Sequence, residues 1–570
     1  MLDLAVRGGE LVDGTGAPRW RADVGISGGR VVALGDVGAA RQEVDATGLI
    51  VAPGFCDVHT HIDAQVFWDT SLTPSSLHGV TTVLAGNCGF TLAPLIPDAT
   101  SYLVEMLSVV EGMPLAALRA SVPGDWTGTA EYLDRIEGTL SLNAGFLVGH
   151  SALRRVVMGL AATQRAATPE ERHAMQRLLR EGLDAGGLGF SSSWGPAHFD
   201  NAGSAIPSRH ATPDELIALA AVCRDVEGTS IEFAPARADV FDDAQLQLTT
   251  SMSAAAGRPL NWNVLRVTEN SLDDARSLLE AGSYARRNGG DIVALTMPIN
   301  SRARFSFGTG FVLDSLPSWG PVMALPLGER IAALRDPQVR SRLAEGARSA
   351  VGPAREIAEF SERIIDQTFS ADTSHYRGRR VADIAREEGK DPFDALLDIA
   401  CADELRTTFT RDQADPTAED WRAAVEVWRD DRALIGASDA GAHLDFTAYF
   451  DYPTYVLDHA VRRHRALPLE EAVHLMTEAP ARLYGIRDRG VVAEGTWADL
   501  VVFDEATVAS GAIETRFDLP TGAGRLYSEP SGIHQVLVNG EVVVSGGKAT
   551  DVRPGHVLRS GRDTRTPALH

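Results

Sequence analysis

The chain has 570 residues, which is more than one ordinary hydrophobic core can organise, so we expect at least two domains or one large, elaborated domain. The hydrophobic fraction of 44% and the charged fraction of 23% are typical of a soluble globular protein. The formal net charge of −24 argues against nucleic acid and anionic membranes as partners. Four cysteines in so long a chain, without a visible secretory signal, favour a reducing cytoplasm as the location.

Both ends of the chain carry short alternating strands separated by glycine turns. Residues 1–50 contain several such runs, and residues 490–552 return to the same pattern. We expect the two stretches to pair into one small β-sandwich domain. A polar tail follows at 553–570, which we expect to be flexible or to contact another subunit, and a homo-oligomer therefore stays open.

Short apolar runs alternate with amphipathic helical stretches between the two ends. The eight runs end near His61, Cys88, His150, Ser193, Ala234, Leu265, Met297 and Ser438. A strand followed by a helix, repeated eight times, predicts an α/β fold with a parallel (β/α)8 TIM-like barrel over residues 51–297 and 430–489. Residues 298–429 interrupt the repeat and predict a largely helical insertion or cap before strand eight.

A His-x-His pair follows the first apolar run of the predicted barrel. Residues two apart on a strand point to the same face, so His59 and His61 project together, as do Asp57 and Asp63. Two imidazoles with nearby carboxylates suit a divalent ion such as zinc. The alternative is a pair of solvated histidines at a strand edge.

Polar residues also occupy the predicted ends of strands two to four. Cys88 lies between glycines in Gly86-Asn-Cys-Gly89, where its thiol is either a small core residue or a metal-bound thiolate. His150 ends strand three, and a lone histidine of this kind suits hydrogen bonding or polarisation of a substrate carbonyl. Ser192 belongs to a polar wall after strand four, which we assign to substrate binding.

Asp439 and His443 follow strand eight. An aspartate at the end of an apolar strand is costly unless it is paired or binds a metal. Asp439 is therefore a candidate weak metal ligand and a candidate acceptor of a proton from metal-bound water. The alternative for Asp439 is a helix N-cap. We assign His443, a few residues further on, to substrate binding.

The His-x-His pair, the strand-eight aspartate and the split β domain together resemble the amidohydrolase superfamily. The match narrows to the D-aminoacylase group, the N-acyl-D-amino-acid deacylases, through Gly86-Asn-Cys-Gly, Gly149-His-Ser-Ala-Leu-Arg-Arg and Gly187-Leu-Gly-Phe-Ser-Ser. The resemblance covers most of residues 1–300 and 430–550. It implies zinc-dependent hydrolysis of an amide bond, with Cys88 as bridging ligand and with His59, His61 and Asp439 as further ligands.

The chain departs from that group at two metal positions. The resemblance leads us to expect metal-binding histidines at the ends of strands five and six, but Glu232 and Asn263 occupy these regions. We favour one zinc ion at His59, His61, Cys88 and Asp439, with Glu232 as an added ligand, and two ions as the alternative. An arginine partner is the alternative for Glu232, and hydrogen bonding is predicted for Asn263. Arg266 lies near the position from which the group holds the substrate carboxylate.

These observations predict a metal-dependent hydrolase that cleaves a non-peptide C–N bond in a small molecule. The favoured substrate is an N-acyl amino acid or a related linear amide, with Asp439 as general acid and base and with His150 or a nearby donor steadying the oxyanion. A cyclic amide or imide hydrolase, or a deaminase, on the same scaffold is the alternative enzyme. A metal-binding protein without catalysis is the alternative of another class, consistent with the missing histidines.

Overall fold

A computed structural model of the chain describes residues 1–299, 302–351, 353–412 and 414–569. Eight parallel strand positions close on themselves through backbone pairing, each with the next and the eighth with the first. We call this arrangement the parallel ring. Its strands, numbered one to eight in chain order, are Phe55–Asp57 with His59–Thr60, Val80–Ala85, Asn143–Phe146 with Val148–Gly149, Gly189–Ser193, Ser230–Ala234, Leu260–Leu265, Ile292–Thr296, and Ala433–Ile435 with Ala437–Ala440.

Helices connect the ring strands and pack around them. Residues 169–184 show why these segments are helical: Thr168 and Glu171 form a reciprocal capping box, and Met175, Leu179 and Leu183 are buried along one face. The helices outside the insertion are Pro97–Val110, Leu115–Ser121, Thr129–Ile136, His150–Met158, Pro169–Asp184, Pro213–Ala220, Asp243–Ala256, Leu272–Arg287, Ala418–Trp428, Tyr452–Val456, Leu469–Met476 and Glu478–Leu483. Within the described ranges, no helix has both the length and the apolar character needed to cross a membrane.

Strands from both chain ends form two packed sheets. Leu500–Phe503 pairs antiparallel with Ile50–Pro53, so the first and last parts of the chain share one sheet. That seven-stranded sheet has the order Lys548–Ala549, Glu541–Ser545, Ile533–Val538, Leu500–Phe503, Ile50–Pro53, Glu10–Leu11, Trp20–Arg21. The second sheet has the order Arg30–Gly35, Asp23–Ser27, Leu2–Arg7, Ala40–Asp45. Apolar side chains of both sheets, among them Leu4 and Leu500, share one buried core.

A buried carboxylate joins these sheets to the parallel ring. Asp499 forms an ion pair with Arg489 and accepts hydrogen bonds from Nδ2 of Asn143 at 3.1 Å and from the backbone N of Asn539 at 2.8 Å. Asn143 lies on ring strand three, so one carboxylate links both units. Several hydrogen bonds offset the cost of burying this charge.

The insertion has its own core around Phe307, Trp319 and Phe409. Its helices are Gly320–Met323, Leu327–Arg335, Pro337–Ser349, Pro353–Ile357, Val381–Glu388 and Pro392–Ala402, and its small antiparallel sheet consists of Phe305–Ser306, Thr408–Thr410 and Ile364–Gln367. The boundary expected at residue 429 is too late. Helix Ala418–Trp428 buries Trp421 and Val425 in the core of the ring, because it leads directly into strand eight.

The C-terminal residues pack on the ring, so the expectation of a flexible tail is wrong over the described residues 553–569. Val557–Leu558 pairs parallel with ring strand three, and both side chains are buried. The backbone N of Arg565 donates to the carbonyl oxygen of Gly485 at 2.7 Å. Burial of these two apolar residues, together with hydrogen bonds from Arg559, Ser560 and Thr564, holds the segment against the rest of the protein. Short strand pairs before it join Ala509–Ser510 with Pro530–Ser531 and Glu514–Arg516 with Arg525–Tyr527.

Candidate active site

Four of the predicted metal ligands meet at the carboxyl ends of ring strands one, two and eight. Ligand atoms of His59, His61 and Cys88 all lie within 4.8 Å of one another. Oδ1 of Asp439 lies 3.3 Å from Nε2 of His59 and 3.7 Å from Nε2 of His61. All four residues line one cavity of about 590 Å³.

The two acidic residues near strand one, Asp57 and Asp63, are not among the described residues that line this cavity. Asp57 forms a hydrogen bond with the Ser438 hydroxyl, and Oδ2 of Asp63 accepts from the backbone N of Gly86 at 3.2 Å. Burial raises the pKa of both carboxyls to about 7. Asp57 and Asp63 therefore support the strand and the neighbouring loop, while the two imidazoles face the cavity.

The loop that carries Cys88 has an unusual backbone conformation. Cys88 has a φ of 54°, and Gly86 and Gly89 have φ values of 78° and 74°. A left-handed conformation costs a residue with a side chain free energy, and such strain persists only where the surroundings hold it. Glu232 and Asn263 contribute: Oε2 of Glu232 accepts from the Cys88 backbone N at 2.8 Å, and Nδ2 of Asn263 donates to Sγ at 3.2 Å.

The resemblance predicts histidines where Glu232 and Asn263 lie in the sequence. In the structure both of these residues contact Cys88. Oε1 of Glu232 lies 4.0 Å from Sγ of Cys88, and Glu232 is fully buried. Burial raises the pKa of its carboxyl to about 7. No arginine pairs with Glu232 in the part of the chain that the structure describes, which removes the alternative weighed for it. Asn263 lines the cavity as a hydrogen-bond donor.

The donor set of the cluster fits a zinc ion. Zinc prefers imidazole, thiolate and carboxylate ligands, and all three kinds are present. Burial raises the pKa of Asp439, but the close imidazoles of His59 and His61 outweigh this effect and hold that pKa well below its usual range. Burial and the neighbouring Glu232 raise the pKa of Cys88 well above its usual range. A bound cation would stabilise the Cys88 thiolate, because metal binding displaces the thiol proton.

His150 and Ser192 are not placed for the roles predicted from the sequence. Nδ1 of His150 lies 2.8 Å from Oγ of Ser192, and Nε2 lies 2.9 Å from Oε1 of Glu215. Both side chains are fully buried, and neither is among the described residues that line the cavity. The prediction that His150 steadies an oxyanion is wrong, since both ring nitrogens already have partners; Ser192 is bound to that ring and does not face substrate.

Of the remaining predicted substrate-binding residues, His443 lines the cavity and Arg266 is not among the described residues that do. His443 lines the cavity, and its ring stacks on Phe311 of the insertion with centroids 4.9 Å apart. Burial lowers the pKa of His443 to about 4. Arg266 is exposed and is not among the described residues that line the cavity. Arg237 is among the residues that line it. Arg237 forms a forked ion pair with Asp239 at 3.0 Å.

Two residues that line the cavity, Glu111 and His198, were not predicted from the sequence. Glu111 is buried at the end of helix Pro97–Val110, with Oε1 3.2 Å from Nδ1 of His61. A carboxylate at a helix C-terminus opposes the helix dipole, and that conflict was a signal of function. His198 lies in the loop after strand four and lines the cavity. Burial lowers the pKa of His198 to about 3, so the ring is neutral.

The chain is similar to a known protein family and to known enzymes along most of its length. The profile of the amidohydrolase family matches residues 42–544. The chain belongs to the amidohydrolase family. It is 30% identical over 564 residues to a D-aminoacylase of Alcaligenes xylosoxydans xylosoxydans, covering 98% of this chain and 97% of that protein. It is 31% identical to an N-acyl-D-aspartate deacylase of the same organism, covering 98% of this chain and 95% of that protein.

A solved structure extends the similarity to the fold. The N-acyl-D-glutamate deacylase from Bordetella bronchiseptica, in complex with zinc and a phosphonate inhibitor that mimics the tetrahedral intermediate, is similar with a TM-score of 0.63 and 28% identity. The match covers 98% of this chain and all of that one, at 100%. This amidohydrolase thus resembles the D-aminoacylase group, has its mixed α/β fold, and is a hydrolase of C–N bonds other than peptide bonds.

Proposed function

We propose that this amidohydrolase removes the acyl group from an N-acyl amino acid or a related linear amide, on a (β/α)8 scaffold. A single zinc ion is held by His59, His61, Cys88 and Asp439, with Glu232 within reach of the same cluster. The observation that carries the proposal is the position of Asp439, whose Oδ1 lies 3.3 Å and 3.7 Å from the two imidazole nitrogens at the cavity wall. The names of the relatives support the substrate class.

Asp439 handles the proton in this reaction. A bound zinc ion polarises a carbonyl group and lowers the pKa of water. Oδ1 or Oδ2 of Asp439 accepts the proton of the attacking water and returns it to the leaving nitrogen. The positive charge of a cation held beside His59 and His61 would keep this carboxylate ionised, which it must be to accept a proton.

The cavity suits a small anionic amide. Its volume of about 590 Å³ lies within the range of small-molecule sites, roughly 300–1,000 Å³. Arg237 lines the wall, and because Asp239 occupies its Nε and Nη2, a substrate carboxylate would bind at Nη1 or displace Asp239. We therefore transfer to Arg237 the carboxylate-binding role that the sequence suggested for Arg266.

The test combines metal analysis with turnover. Zinc-loaded protein is assayed with N-acetyl-D- and N-acetyl-L-amino acids, with hydantoins and with aminopurines. We expect about one zinc per chain and hydrolysis of an N-acetyl amino acid that Asp439→Asn reduces by at least about 100-fold. Asp274→Asn, an exposed helix position, is the matched control.

Four outcomes contradict the proposal. Turnover of hydantoins alone would make the protein a cyclic amide hydrolase, and release of ammonia from aminopurines would make it a deaminase. Zinc binding without turnover of any of these compounds would leave a metal-binding protein without catalysis. Parental activity in Asp439→Asn would remove its proposed role.

A further inference from the structure

We propose that His198 is a catalytic residue that donates a hydrogen bond from its Nε2–H to the oxyanion of the tetrahedral intermediate. The inference rests on the proposed function. When water adds to an amide carbonyl, the π electron pair moves onto the oxygen, and a fixed hydrogen-bond donor stabilises the charge that forms there. The sequence suggested His150 for this task, but both nitrogens of His150 have other partners.

The hydrogen bonds around Ser193 determine which nitrogen of His198 carries the proton. Oγ of Ser193 accepts from the backbone N of Gly195 at 2.9 Å and lies 2.7 Å from Nδ1 of His198. A backbone N–H can only donate, so the hydroxyl proton of Ser193 remains available for Nδ1. The arrangement that satisfies every group makes Nδ1 the acceptor and places the ring proton on Nε2.

The histidine that carries this Nε2–H group lines the active-site cavity. His198 lines the same cavity as His59, His61 and Asp439. Within the described ranges, Nε2 of His198 forms no hydrogen bond with protein, unlike both ring nitrogens of His150. A neutral imidazole N–H in this wall is therefore free to meet a substrate oxygen.

The ring is also held in place, as a preorganised donor must be. It packs edge-on against Phe90, with centroids 5.0 Å apart and planes at 68°. Nη1 of Arg209 donates to the carbonyl oxygens of Pro196 and His198, at 3.2 Å and 3.1 Å, which fixes the loop. A Cβ at Gly195 would lie 2.9 Å from Nδ1, so only glycine permits this approach of the ring.

The test replaces the donor and keeps the ring. His198→Phe preserves the aromatic contact with Phe90 but lacks an N–H. We expect kcat for an N-acetyl amino acid to fall by about 100- to 1,000-fold, the loss found when one oxyanion donor is removed. Affinity for a methylphosphonamidate analogue of the same substrate should fall in parallel, while zinc content and Tm stay at parental values. His173→Phe, on the exposed face of helix Pro169–Asp184, is the matched control.

A second variant covers the case in which His198→Phe does not fold. Ser193→Ala leaves the imidazole in place and releases its tautomer, and we expect a smaller loss of both kcat and phosphonamidate affinity. Parental kcat in either variant would overturn the proposal, and so would an effect on KM alone. Binding of the phosphonamidate needs no turnover, so it still tests His198 if the parent protein hydrolyses no N-acyl amino acid, the result that contradicts the proposed function.

Discussion

Oε1 of Glu111 lies 3.2 Å from Nδ1 of His61, on the side of the ring opposite to Asp439. A carboxylate this close to Nδ1 favours the tautomer with the proton on Nδ1, which leaves Nε2 free to bind a metal. Burial raises the pKa of Glu111 well above its usual range, and the charge of Asp439 adds to this effect. A cation at Nε2 of His61 would offset the cost of keeping both carboxylates ionised in one buried site.

We expect Glu111→Gln to weaken zinc binding by about 10- to 100-fold, the usual effect of removing a carboxylate that orients a metal-binding histidine. Zinc affinity is measured by competition with a chromogenic chelator. Glu181→Gln, an exposed position on helix Pro169–Asp184, serves as the control. Equal affinity in Glu111→Gln and parent would show that the contact with His61 has no part in metal binding.

Glu232 has two separable tasks, and two substitutions distinguish them. Glu232→Gln keeps an oxygen that can accept from the Cys88 backbone N but removes the charge, whereas Glu232→Ala removes both. If Glu232 is a zinc ligand, both variants lose zinc affinity. If it only holds the Cys88 loop, Glu232→Gln retains parental affinity and Glu232→Ala does not. We expect the first result, measured by the same chelator competition and by thiol–Co²⁺ absorption.

An aromatic contact between Phe311 and His443 joins the insertion to the active site. Phe311 stacks on His443, and a Cβ at Gly112 would lie 2.9 Å from the Phe311 ring. Aromatic pairs of this kind contribute about 0.5–1.5 kcal/mol beyond the area they bury. We therefore expect Phe311→Ala to raise KM by roughly two- to tenfold and to change kcat less. Steady-state kinetics measures this split.

Phe369→Ala is the matched control for that prediction. Phe369 also belongs to the insertion but packs edge-on against Phe517, with centroids 4.9 Å apart. If both variants change KM equally, the effect comes from loosening the insertion as a whole. A change confined to Phe311→Ala assigns it to the contact with His443.

Asp445 predicts a pH dependence of stability. Its Oδ2 accepts from the hydroxyls of Thr309 and Ser306 in the insertion, and burial raises its pKa to about 6 from an ordinary 3.8. The folded state binds this proton more tightly than the unfolded state. The contribution of Asp445 to stability is therefore fully present below about pH 4 and is lost as the pH rises through about 6.

Asp445→Asn removes that titration. The free energy of unfolding of the parent, minus that of the variant, should fall by about 2 kcal/mol between pH 4 and pH 7. Urea denaturation at a series of pH values measures the difference. A difference that does not vary over this interval would contradict the assignment of a raised pKa to Asp445.

Local pattern was sufficient for the strands and for part of the site. Alternation along a strand places His59 and His61 on one face, and the eight apolar runs are the eight strands of the parallel ring. The strand texture at both chain ends also anticipated that Ile50–Pro53 and Leu500–Phe503 share a sheet. These features follow from the period of the side chains and from burial, which the chain encodes over a few residues.

Other features depend on contacts that no local pattern reports. Which basic residue lines the cavity, Arg237 rather than Arg266, is decided by loop paths. Ser192 and Ser193 are neighbours in sequence, but their hydroxyls form hydrogen bonds with different histidines, His150 and His198. These contacts decide which of the two histidines we propose as the oxyanion donor. The sequence by itself determined the strand order and the facing of the two imidazoles, because both are local. The tertiary structure alone decided which side chains surround them, because packing brings together residues that lie hundreds of positions apart.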